Sequence, residues 1–110
     1  MSADERLPAG IVIAAKLREL DHQAVSYYIA NKGAYFSGTL LLKLNRLDGF
    51  CRVLIQNRDE TGKLIWMDAL KDEYVAEEAA DAYIRRAVAR DPDLWAIEIE
   101  TRDGKNFFEE

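Results

Sequence analysis

The run Thr39-Leu40-Leu41-Leu42-Lys43-Leu44-Asn45-Arg46-Leu47-Asp48-Gly49-Phe50-Cys51-Arg52-Val53-Leu54-Ile55-Gln56-Asn57 decides the fold. Leu40, Leu42 and Leu44 alternate with Thr39, Leu41, Lys43 and Asn45, the period of two that places apolar side chains on one side of a β-strand. Asp48-Gly49 is a turn signal, and Phe50 to Asn57 reads as the returning strand of a hairpin. A second turn, Asp59-Glu60-Thr61-Gly62, leads into another strand over Lys63 to Leu70. Successive strands joined by short turns make an antiparallel meander.

Beyond the meander the period changes to that of a helix, from about Val75 to Arg90. Ala76, Ala79, Ala80, Tyr83, Ile84 and Ala87 share one arc, and Glu77, Glu78, Asp81 and Arg85 the opposite one. Acids in the first half and Arg85, Arg86 and Arg90 in the second suit the helix dipole. Asp81 and Arg85 stand at the i,i+4 spacing of an ion pair. Asp91-Pro92 ends the helix, because a residue before proline avoids the α region. Leu94 to Arg102 is then a last strand, with Trp95, Ile97 and Ile99 inward and Glu98 and Glu100 outward.

Toward the N-terminus, Pro8 suits the first turn of a helix reaching about His22, with Ile13, Leu17, Leu20 and Ala24 on one arc. Ile11 and Val12 fall outside it, as cover for a terminal segment or as the seed of a partner contact. Val25, Tyr27 and Ile29 alternate as a first strand, and Asn31, Gly33, Ser37 and Gly38 mark a loop. The order α-β-β-β-β-α-β predicts one α+β domain over residues 1–110, with residues 1–6 flexible. Its expected form is an antiparallel sheet of four to five strands with two helices packed on one face.

The 110 residues carry 15 Lys and Arg against 20 Asp and Glu, a net charge of −5. That balance disfavours nucleic acid, whose non-specific affinity rests on excess Lys and Arg. Cys51 is the only cysteine, which excludes an intramolecular disulfide. Met1 to Arg6 lacks the basic start of a signal peptide, and the apolar runs are too short to span a bilayer. A cytoplasmic protein without a membrane partner is expected.

The densest polar cluster is Asp91, Asp93, Glu98 and Glu100. Two glutamates on one strand face stand about 7 Å apart, so a hard divalent cation such as Mg²⁺ or Mn²⁺ could bridge them, with an aspartate as third ligand. The plainer account makes Asp91 and Asp93 turn residues and the glutamates the wet side of a half-buried strand. A metal-nuclease signature of Pro-Asp followed by acid, any residue and Lys fails here, because Glu100 stands where the lysine belongs. Mapping that signature by topology onto Glu19, Asp48 and Gln56-Asn57-Arg58 puts an arginine, whose charge is fixed, in the lysine's place. His22 reads as a helix-end residue and Cys51 as a buried filler; together they are a nucleophile pair only if the fold joins them. The six glycines are scattered, so no phosphate-cradling loop exists. Tyr28, Tyr35 and Phe36 lie around Lys32, either packed across strands or exposed as a recognition patch. Phe107 and Phe108 near the chain end must dock on the domain or on something else.

The stretch from Ala82 to Glu100, with Asp91-Pro92-Asp93-Leu94-Trp95 at its heart, resembles the C-terminal signature of the family known as domain of unknown function 1491. Arg6-Leu7-Pro8-Ala9-Gly10, Asn45 to Gly49 with Cys51 to Leu54, and Arg58 to Gly62 with Trp66 are similar too, so the resemblance spans nearly the whole chain. It implies a small alphaproteobacterial, cytoplasmic, single-domain protein and supplies no catalytic residue. The loop Lys32 to Gly38 lacks the acid often found there. The leading expectation is a non-catalytic module that binds a protein partner or itself through Ile11, Val12, Tyr35, Phe36 and Phe107, without a cofactor. The alternative is a divalent-metal-dependent hydrolase or nuclease using Asp91, Asp93, Glu98 and Glu100.

Overall fold

In the computed structural model, which describes residues 7–109, the leucine run becomes a strand buried from both sides. It is β2 (Leu40–Asn45), with β3 (Phe50–Arg58) antiparallel on one flank and β6 (Trp95–Glu100) parallel on the other. Leu40, Leu42 and Leu44 face Ile13 and Leu20 of α1 (Ala9–His22), with Leu54, Trp95, Ile97, Ile99 and Phe108 completing that core. Leu41 faces the other way, packing with Cys51, Val53 and Ala96 against Ala80, Ile84 and Ala87 of α2 (Glu77–Arg90). Residues 1–6, expected to be flexible, lie outside the described residues.

The class is α+β as expected, and two details of the expectation are corrected. The helices cover opposite faces of the sheet, because β2 buries Leu41 as well as Leu40, Leu42 and Leu44. A run apolar on both faces belongs to a central strand. The sheet is also mixed, with six strands among the described residues, in the order β1-β6-β2-β3-β4 and β5 pairing β3. Here β1 is Tyr27–Asn31, β4 is Leu64–Asp68 and β5 is the two-residue Val75–Ala76. Since β5 is antiparallel to β3, it runs parallel to β2 and β6. The chain therefore passes β5, α2, β6 as a helical crossover, the connection that parallel strands require. The expected helix start at Val75 hid this short strand.

The ends of α1 show how local chemistry sets the frame. Val25 N–H donates to Leu20 C=O at 2.9 Å and Ala24 N–H to Asp21 C=O at 3.1 Å, the paired bonds of a Schellman ending. Ala24 takes the left-handed position, with φ 56°. The chain then enters β1, which among the described residues pairs with β6 alone, as an edge strand, and is mostly exposed.

The Asp-Pro-Asp-Leu-Trp segment positions the loop beyond β1. Trp95 Nε1–H donates to Ala34 C=O at 2.8 Å, Ala34 N–H to Asp93 C=O at 2.9 Å, and Asn31 Nδ2 to Leu94 C=O at 2.7 Å. A side chain at Gly38 would bring its Cβ to 2.6 Å from the Asp93 carbonyl. Only glycine allows that approach.

Candidate functional site: a lysine and three carboxylates in a groove beside β1

Lys43 sits in the middle of β2 with its side chain turned toward α2, and only 4% of it is exposed. A buried ammonium needs partners for its donors. Its Nζ finds Glu77 Oε2 at 2.8 Å, Asp81 Oδ1 at 2.7 Å and Glu98 Oε1 at 3.2 Å. Asn45, two residues along the same face, donates from Nδ2 to Glu98 Oε2 at 3.0 Å and to Glu77 Oε2 at 3.2 Å.

Each acid is placed by its element. Glu98 stands beside Lys43 in the parallel register of β2 and β6. Glu77 and Asp81 lie one helical turn apart at the start of α2, which brings both over the lysine. Asp81 thus bonds Lys43, and among the described residues it has no ion pair with Arg85, contrary to the expected i,i+4 pair. Burial alone lowers the lysine's pKa. The bonds to Asp81, Glu77 and Glu98 overcome that and hold it above the ordinary lysine range. The ammonium therefore stays protonated and serves neither as nucleophile nor as base near neutral pH.

The cluster closes one end of a groove of about 600 Å³ between α2 and the β1–β6 edge. Ile84, Val88 and Ala30 form its apolar walls, Tyr28 lines it from β1 beside Glu98, and Arg85 lies farther along α2. Tyr28 is 66% exposed.

The expected metal ligands fare differently. Glu98 is not on a wet face; it is committed to Lys43 and Asn45. Glu100 is exposed, and Asp91 accepts the Asp93 N–H at 3.1 Å in the turn before β6. Among the described residues, no group of three or more His, Cys, Asp or Glu side chains could hold a metal ion, and the three acids that do converge, Glu77, Asp81 and Glu98, do so around the Lys43 ammonium.

Cys51 lies under α2, whereas His22 ends α1 on the opposite face, so the sheet separates them. Burial pushes the Cys51 thiol up to about 11, which keeps it neutral. Of the topological nuclease mapping, Glu19 pairs with Lys16 at 3.0 Å, Asp48 with Arg46 at 3.5 Å, and Arg58 donates to Gly62 C=O at 2.6 Å.

Among the expected partner residues, Ile11, Val12, Tyr35 and Phe36 are exposed, and Phe36 is 76% so. Val12 and Phe36 join Leu7 and Leu64 around a second depression, of about 470 Å³, at the N-terminal end of α1. Phe107 instead packs against the α1-side core, with Lys105 Nζ 4.7 Å from its ring centre.

The fold and the groove together define a class: a single α+β domain with a charged groove beside the β1 edge of its sheet. The chain belongs to the DUF1491 family, proteins of unknown function, whose family model matches residues 7–109. It is similar to a DUF1491 family protein from Caulobacter crescentus in its crystal structure, at 32% identity over 94% of this chain and 95% of that one, with a TM-score of 0.81. An NMR structure of a DUF1491 family protein from the same organism matches at 33% identity over 92% and 91% of the two chains, with a TM-score of 0.77. A solution structure from A. tumefaciens shares the fold at 22% identity over 87% and 86%, with a TM-score of 0.69. No curated protein matches.

Proposed function

We propose that this protein is a non-catalytic interaction module that takes an extended segment of a protein partner into the groove between α2 and β1. The observation that carries this reading is the open edge of β1 beside the groove. Its residues, Tyr-Tyr-Ile-Ala-Asn from Tyr27, include no charge and no proline. Charge and proline are two of the devices that ordinarily guard an edge, and β1 lacks both. Its pairing with β6 shifts register only between Ile29 and Asn31, which leaves Tyr27 to Ile29 as the stretch that accepts an added strand. Lys43, held protonated by its carboxylate partners, offers the groove no nucleophilic amine, which supports a binding role.

A photo-crosslinking residue at Tyr28 is expected to give a discrete protein adduct in native extract, and one at Glu60 none. Adducts at neither position, or equally at both, contradict the reading. No metal enters it, so millimolar Mg²⁺ or Mn²⁺ leaves Tm unchanged; a rise favours the hydrolase alternative instead. The single cysteine and the Caulobacter and Agrobacterium relatives support a cytoplasmic setting in an alphaproteobacterium.

A second reading rests on Leu7, Val12, Phe36 and Leu64 around one depression. Exposed apolar side chains gathered in one patch mark contact surfaces, and here the occupant proposed is a second copy. Sedimentation equilibrium checks it: Phe36→Ser should shift a dimer toward monomer. A wild-type chain that stays monomeric at millimolar concentration removes it.

A further inference from the structure

We infer that the segment taken into the α2–β1 groove presents a basic side chain, lysine or arginine, with its stem on Ile84 and its charge on Glu77 and Asp81, while the rest of the segment runs along Val88 and Ala30. This rests on the groove being a protein-docking site, and it specifies what that site selects.

The first ground is charge. Three carboxylates face one ammonium at the cluster, and with Arg85 counted the groove's lining keeps a surplus of one negative charge, gathered at the Glu77–Asp81 end. The second is geometry. Lys43 approaches from the sheet and occupies the inner oxygens, Glu77 Oε2 and Asp81 Oδ1. Among the described residues, Glu77 Oε1 and Asp81 Oδ2 take no hydrogen bond, and both side chains are 44% exposed. Those outer oxygens are free acceptors at the groove's polar end. A lysine or arginine side chain matches the arrangement, since its alkyl stem covers apolar surface while its head keeps polar contacts.

Arg85 gives the groove a direction. It lies four residues beyond Asp81 on α2, about 6 Å farther along the axis at 1.5 Å per residue. A guest cation therefore belongs at the Glu77–Asp81 end, and an acidic guest meets repulsion there. A divalent metal is a poor occupant, because the Lys43 ammonium already stands among the oxygens it would need.

Amide chemical shifts of the full chain test this with three blocked pentapeptides: Thr-Lys-Val-Lys-Thr, Thr-Glu-Val-Glu-Thr and Thr-Gln-Val-Gln-Thr. The lysine peptide should shift Tyr28, Ala30, Ile84 and Val88 saturably and bind at least tenfold more tightly than the glutamate peptide. Asp81→Asn should weaken it severalfold, and Arg85→Glu, outside the Lys43 cluster, should strengthen it. Equal shifts from all three peptides overturn the basic preference and leave the docking groove standing. Groove shifts from none of them overturn the docking reading and the preference together. Spermidine binding as tightly as the lysine peptide overturns a peptide source, and unchanged affinity in both variants overturns the assignment to Glu77 and Asp81.

Discussion

At the scale of single residues, Lys43 is the position where the sheet departs from an apolar core, and its neighbours on both flanks are leucines. Its ammonium is tolerated because each of its donors meets a carboxylate, at 2.7, 2.8 and 3.2 Å. Removing one partner of a buried pair leaves the others uncompensated, whereas replacing the pair by apolar groups is often neutral. Lys43→Met should therefore destabilise the fold by about 3 kcal/mol, toward the low end for buried pairs because the acids reach solvent. Adding Glu98→Leu should recover part of that loss in urea unfolding. A double variant less stable than the sum of its singles contradicts this account of the cluster. The lysine was visible in the sequence as an interruption of the leucine run. Its partners were not, because Glu77, Asp81 and Glu98 lie tens of residues away and only the β2–β6 register and the α2 crossover join them.

At the scale of elements, helix ends and edges carry the information. Ala24 occupies the left-handed site of the α1 ending, where a Cβ is unfavourable and glycine is the usual residue. Ala24→Gly should raise stability by about 0.5–1 kcal/mol, read as a higher urea midpoint at unchanged slope. A loss of stability would mean that this ending is not the strained point it looks. Both helices and the strands from β1 to β4 and β6 followed from period and turn chemistry, since those signals are local. The opposite placement of the helices did not, although Leu41 was there to be read as a second buried face. β5 escaped because two residues, Val75 and Ala76, carry no period of their own. The glutamates of β6 alternate against Ile97 and Ile99 as expected, yet the face they share is covered by α2 at Glu98 and open at Glu100.

At the scale of the whole molecule, the charge of −5 is distributed unevenly, and part of it is gathered against Lys43 at the groove. The same region sets the response to alkali. Burial raises the Cys51 thiol to about 11, and the three carboxylates raise Lys43 after burial has lowered it. A group whose folded pKa is raised stabilises fully below its unfolded pKa and loses that contribution as pH climbs through the folded one. Stability should thus decline from the ordinary thiol value of 9.0 upward, and Cys51→Ala should flatten the decline up to about 11. A pH-independent urea midpoint over that window contradicts the burial of the thiol.

The central claim is that β1 is a docking edge, and hydrogen exchange of its backbone amides reads it most directly. In the free chain the amides of Tyr27–Asn31 that point away from β6 should exchange fast, as on any unpaired edge. Saturating Thr-Lys-Val-Lys-Thr should slow them at least tenfold while the opposite edge, β4, stays unchanged. Exchange at β1 that is unaltered, or slowed no more than at β4, contradicts the account.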